Sequence, residues 1–133
     1  MLEVEVFGAH LLSAPLPRCR VERLCALALA SAGVEDGHLA VEFVDSVRIA
    51  ELGGEYLGKD GPTDVLSFPV DGADAQGLGE GVPRELGDIV ICPPHTTDLR
   101  EAIVHGALHL TGMDHETDDG QMLALQRELL AWE

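Results

Sequence analysis

The stretch HGALHLTGMDHE, His105 to Glu116, constrains this chain more than any other. His105 and His109 are four residues apart, which puts both imidazoles on one face of a helix. Gly112 then offers a left-handed cap and a chain reversal. His115 follows His109 by six residues, on the returning chain. Two nitrogens one turn apart, plus a third brought back by a glycine turn, can hold one side of a metal ion. A fourth position stays open for water, which is how a catalytic zinc site differs from a closed structural one. Residues 102–110 hold no formally charged side chain, so this helix is expected to be buried, with the imidazoles as its strongly polar groups. The alternative is two core histidines bonded to backbone and a third on the surface. Three of the chain's six histidines at ligand spacing favour the metal.

The residue after the first histidine is Gly106. In HExxH metallopeptidases that position holds the glutamate that serves as general base. Peptide hydrolysis by that route is therefore disfavoured. Gly106 costs a helix about 1 kcal/mol relative to alanine. The expected return is close approach of another backbone or of a substrate.

The pattern H-G-x-L-H-L-x-G-x-D-H resembles the signature of the YbeY family. Two further blocks resemble it in the same order, Pro62 to Pro69 (PTDVLSFP) and Leu86 to Ile91 (LGDIVI), and the resemblance spans roughly Val41 to Leu130. It implies a zinc-dependent, single-strand-specific endoribonuclease acting in maturation of the 3′ end of 16S rRNA and in ribosome quality control. It implies one Zn2+ per chain, held by His105, His109 and His115. The metal-bound water would be the attacking group. Asp114 would orient a ligand or relay a proton, or else cap the turn at Gly112. The strand after Pro62 would lie beside the metal cleft, while Thr63, Asp64 and Ser67 can also be read as turn and strand-edge hydrogen bonding. Implied partners are single-stranded rRNA and the ribosome or its proteins, with no membrane and no nucleotide cofactor.

Relatives read L-N-x-x-Y-R ahead of the PTDVLSF block, where this chain has Leu52-Gly53-Gly54-Glu55-Tyr56-Leu57. Leu57 cannot supply the cationic contact of the family's arginine. Lys59 stands two residues on and is the candidate substrate contact, as a looser point charge. A ribosome-associated metal-binding protein with weak or lost catalysis is the alternative from another class. A metallopeptidase is the rival of the same chemistry.

Charge bears on the same question. The formal net charge is −16, with 24 acidic residues against eight Lys and Arg. Backbone-binding proteins usually carry a basic patch. Here Arg18, Arg20 and Arg23 cluster on the first helix and the others are scattered. Affinity for free RNA is expected to be weak, with targeting supplied by a protein partner, the ribosome or divalent counterions. Few aromatic residues are available to stack bases, chiefly Tyr56, Phe43 and Phe68.

A chain of 133 residues has room for one core, so a single domain over residues 1–133 is expected. No apolar run approaches the roughly 18 residues of a membrane span, and no signal peptide is evident. Cys19, Cys25 and Cys92 show no paired spacing, which suits free thiols in a reducing cytoplasm.

In chain order, Leu2–Phe7 alternates as a half-buried strand. A helix follows Pro17, with Val21, Leu24, Cys25, Ala28 and Ala32 inward, and ends at Gly33. A second strand runs Leu39–Val44. Asp45 or Ser46 caps a helix burying Ile49, Leu52 and Tyr56. A third strand spans Val65–Phe68, residues 71–84 form a glycine-rich loop, and a fourth strand spans Leu86–Cys92 and is buried on both faces. Asp98 and Glu101 start the histidine helix in the manner of a capping box. Met122, Leu125 and Leu129 line the last helix. The predicted fold is α+β or α/β, a mixed four-stranded sheet covered by helices, with a metal-binding helix-turn in the C-terminal third.

Overall fold

The computed structural model of the chain describes residues 2–13, 16–58, 61–70, 84–113 and 120–132. Four strands and four α-helices appear in the order β1 (Leu2–Phe7), α1 (Arg18–Ala30), β2 (Gly37–Phe43), α2 (Ser46–Leu57), β3 (Val65–Pro69), β4 (Glu85–Ile91), α3 (Leu99–Leu110) and α4 (Gln121–Trp132). The strands form one sheet in the order β1-β2-β4-β3. β1 pairs with β2 and β2 with β4 in parallel, while β3 runs antiparallel to β4. This is the mixed four-stranded sheet that the strand pattern predicts.

Alternation along the strands divides the interior into two layers. Leu39, Val41, Phe43, Ile89 and Ile91 enter the larger core with the buried faces of α1, α3 and α4. Leu66 and Val90 point the other way and pack with Ile49 and Leu52 of α2. Strand β4 is therefore buried on both faces, as its Ile-Val-Ile run requires: Ile89, Val90 and Ile91 are all inaccessible or nearly so. Gly87 of β4 sits at φ +136°, and a Cβ there would lie 2.2 Å from the Phe68 carbonyl oxygen, so only glycine fits.

Local signals place most element ends. The Asp45 carboxylate accepts from the Arg48 amide at 2.8 Å and starts α2. Strand β2 begins two residues before the predicted Leu39, because Gly37 and His38 already pair with β1. Tyr56 departs from expectation. It is exposed, because Ile49, Leu52 and Gly53 take the buried stripe of α2. Its ring leans edge-on against Phe68, with centroids 5.9 Å apart. Among the three phenylalanines, Phe43 is buried in the core and is removed from the set that could stack a base.

Arg18 is likewise committed to the fold. Its guanidinium donates to the Val4 carbonyl at 3.0 Å and pairs with Glu22 at 3.0 Å, tying α1 to β1. The three cysteines are free thiols, and burial, with Glu22 nearby, pushes Cys25 up to about 12. No helix among the described residues is long and apolar enough to cross a membrane. The expected glycine-rich loop lies outside the described residues except for Arg84.

Candidate metal centre

Helix α3 carries the two helical histidines, and its start is fixed by Asp98. That carboxylate accepts from the Arg100 amide at 3.0 Å and the Glu101 amide at 3.5 Å. Ala102, Ile103, Val104, Ala107, Leu108 and Leu110 are buried, so one helix is surrounded on most of its circumference. His105 and His109 are half-buried on the remaining face. The helix ends as the glycine signal predicts: Gly112 adopts φ +99° and its amide returns to the His109 carbonyl at 3.0 Å.

Gly106 is explained by packing. A Cβ there would meet Ile89 Cγ2 at 2.5 Å and the Ser67 hydroxyl at 3.3 Å. The absent side chain lets α3 lie close on β3 and β4, and the Ser67 hydroxyl donates to the Gly106 carbonyl at 3.2 Å. The close neighbours are therefore side chains of the sheet, where a backbone or a substrate was expected. A glutamate at 106 would start into Ile89, so the metallopeptidase base has no room to begin there.

The two imidazoles converge. His105 Nε2 and His109 Nε2 are 3.2 Å apart, with ring centroids at 4.7 Å and planes at 76°. Each Nδ1 faces an oxygen: His105 Nδ1 faces Gln126 Oε1 at 2.8 Å, and His109 Nδ1 faces the Met113 carbonyl at 2.9 Å. An imidazole that donates through Nδ1 keeps its lone pair on Nε2. Two such lone pairs in contact repel unless a cation or a proton lies between them. Two ligands at tetrahedral angles, each about 2.0–2.1 Å from zinc, would be separated by about 3.3 Å. With both Nδ1 atoms donating, the pair fits a metal in spacing and in the atoms it turns toward it.

Beside His105 opens a cleft of about 220 Å³. Asp64, His95, Asp98, Glu101, Leu123 and Gln126 line it. The block Thr63–Ser67 therefore does two things at once. Asp64 Oδ1 accepts from Thr63 and from the Val65 amide, a turn-type bond, and the same residue borders the cleft. His95 Nε2 lies 3.1 Å from the Ser46 hydroxyl, joining the start of α2 to the cleft wall.

His115, Asp114, Glu116 and Lys59 lie outside the described residues. Among the described residues no group of three or more His, Cys, Asp or Glu could hold a metal, as follows when the third expected ligand falls in 114–119. Leu57 is the last residue of α2, partly exposed, and is followed by Gly58 in the left-handed region. Sequence reasoning missed Gln126, which is buried to 5% exposure. The available signal was a polar residue four after Met122 and three before Leu129, on the inward stripe of α4.

Comparison with known proteins bears on this arrangement. The family model described as Endoribonuclease YbeY matches residues 18–132. A Rubrobacter xylanophilus protein named Endoribonuclease YbeY is 40% identical over 133 residues, covering 96% of this chain and 93% of its own length. The Bacillus cytotoxicus protein of that name is 40% identical over 116 residues, covering 74% of each chain. The solution structure of TM1509 from Thermotoga maritima superposes with a TM-score of 0.50 at 26% identity, covering 96% of this chain and 86% of that one. With β3 and β4 packed on the helix that carries the two convergent imidazoles, and a match running from α1 to α4, this chain belongs to the Endoribonuclease YbeY family.

Proposed function

We propose that the chain is a metal-dependent endoribonuclease that hydrolyses single-stranded ribosomal RNA, acting at the 3′ end of 16S rRNA in the cytoplasm, on or near the ribosome. The observation that carries the chemistry is the His105–His109 pair, with the two Nε2 atoms converging at 3.2 Å and both Nδ1 positions facing an oxygen. The relatives' shared name supplies the substrate class.

His105 and His109, with His115 from the returning chain, would hold one zinc ion. Such an ion supplies Lewis acidity toward a phosphoryl oxygen and toward the attacking water. Asp64, Asp98 and Glu101 make the cleft wall acidic, so a phosphate enters only where positive charge has been placed beside it. Asp114 is placed by sequence next to the third ligand, where it can orient that imidazole or accept a proton. Lys59 is the nearest cation in sequence to the missing arginine and can meet a backbone phosphate as a point charge.

Leu57 favours a second reading, a ribosome-associated metal-binding protein with little turnover. The two separate on one assay. Purified protein is given a short single-stranded RNA and, in parallel, casein, with H109A and L57R as variants. The enzyme reading expects RNA cleavage by the wild type, its loss in H109A, a gain in L57R and no proteolysis. An intact RNA in every arm, L57R included, would favour the binding protein.

A further inference from the structure

Gln126 is the one polar residue in the described buried core, and α4 could have placed a leucine there. A buried amide is costly unless it is hydrogen-bonded. Its side-chain oxygen lies 2.8 Å from Nδ1 of His105, 21 residues away in sequence.

We propose that Gln126 is a positioning residue that fixes the tautomer of His105, and so decides whether that imidazole can accept a metal. The inference rests on the metal reading of the His105–His109 pair. With Oε1 toward the ring, His105 Nδ1 carries the proton and Nε2 presents a lone pair to His109 Nε2. With the amide turned over, its NH2 would donate to Nδ1. The proton would then move to Nε2, and His105 would point a hydrogen into the place a cation must occupy.

The two histidines differ in how this choice is made. His109 Nδ1 faces the Met113 backbone carbonyl, which can only accept, so its tautomer follows from the fold alone. His105 depends on a side chain from another helix. The same two bonds bracket residues 114–119: Met113 closes one end on His109, and Gln126, on the helix that resumes the chain, closes the other on His105. Docking of α4 and readiness of the site are thereby one event. A partner carbonyl or carboxylate on a ligand imidazole is worth about 10- to 100-fold in metal affinity.

The test compares wild type, Q126L and Q126E. Zinc affinity is measured by chelator competition, the His105 tautomer by 15N NMR of the metal-free protein, and folding by the metal-free thermal midpoint. The expected result is a folded Q126L whose zinc affinity falls about 10- to 100-fold. In it His105 loses its Nδ1–H preference, while Q126E, which can only accept, keeps that tautomer and binds zinc at least as tightly as the wild type. Wild-type affinity and an unchanged tautomer in Q126L would overturn the proposal. So would an equal affinity loss in Q126L and Q126E with the tautomer unmoved, the pattern of a packing role. A wild type that binds no zinc at all would defeat the functional reading instead, and the tautomer measurement would then decide this one alone.

Discussion

His38 shows what one side chain contributes away from the metal centre. It lies on β2 between two carboxylates from its neighbouring strands. Nε2 is 2.9 Å from Glu5 and Nδ1 is 2.8 Å from Glu85. Both acceptors require a proton from the ring, so the bridge is complete only when His38 is the imidazolium, and Glu5 and then Glu85 raise its pKa. A folded-state value above the ordinary 6.5 means that the bridge stabilises fully below 6.5 and is lost as pH rises through the raised value. Asp88 is raised as well, by burial and then by Glu85, so stability also falls as pH rises above 3.8 and Asp88 ionises, in a separate, more acidic window. Side chains of Glu5 and Glu85 are about half exposed, so the effect is screened by salt. The expected outcome is that H38Q flattens the fall in thermal midpoint as pH rises above 6.5, most visibly at low salt. An unchanged pH profile in H38Q would show that the bridge contributes nothing. Nothing in the sequence announced this bridge, because Glu5, His38 and Glu85 are brought together only by sheet pairing. Gln126 was hidden differently. Its position on an apolar stripe was readable, but the partner that justifies it is not local.

Among the elements, α3 was the most legible. Its cap, its uncharged buried length, its histidine spacing and its glycine reversal are all local patterns, and each is where the sequence puts it. What the pattern could not give was the neighbour against which Gly106 packs. Alanine at 106 would gain about 1 kcal/mol of helix propensity. It would also force a Cβ to 2.5 Å from Ile89 Cγ2, in a core where overpacking costs about 1–3 kcal/mol. G106A is therefore expected to be destabilised on balance by up to about 2 kcal/mol in chemical denaturation. In the double variant with I89A the two losses should fall short of their sum, since the second removes the clash of the first. Strict additivity would mean that the contact is not the cause. D98A should cost about 1 kcal/mol by freeing the first amides of α3. Helix α2 was less legible at its end, where the pattern carried the buried stripe on to Tyr56. The inward position one turn earlier went to Gly53, and Tyr56 was left with an aromatic contact at the surface.

At the scale of the whole molecule, the strand order and the single antiparallel edge were not readable, because they depend on which strands meet after the chain has turned back. The existence of four strands and the helical cover were, since alternation and apolar runs mark them. The net charge of −16 makes the chain and an RNA strand repel at long range. For that reason kcat/KM on a short single strand is expected to rise as monovalent salt is raised from low values, the reverse of a basic nuclease. A steep fall with salt would show a local cationic track strong enough to override the bulk charge. The claim beneath all of this is that His105, His109 and His115 share one divalent ion and that RNA cleavage needs it. Elemental analysis of dialysed wild type, H109A and H115A, with single-stranded RNA cleavage on the same samples, tests it most directly. One zinc per chain with cleavage in the wild type, and neither in the two variants, is the expected result. Full metal content in either variant, or cleavage at the wild-type rate by metal-free protein, would contradict it.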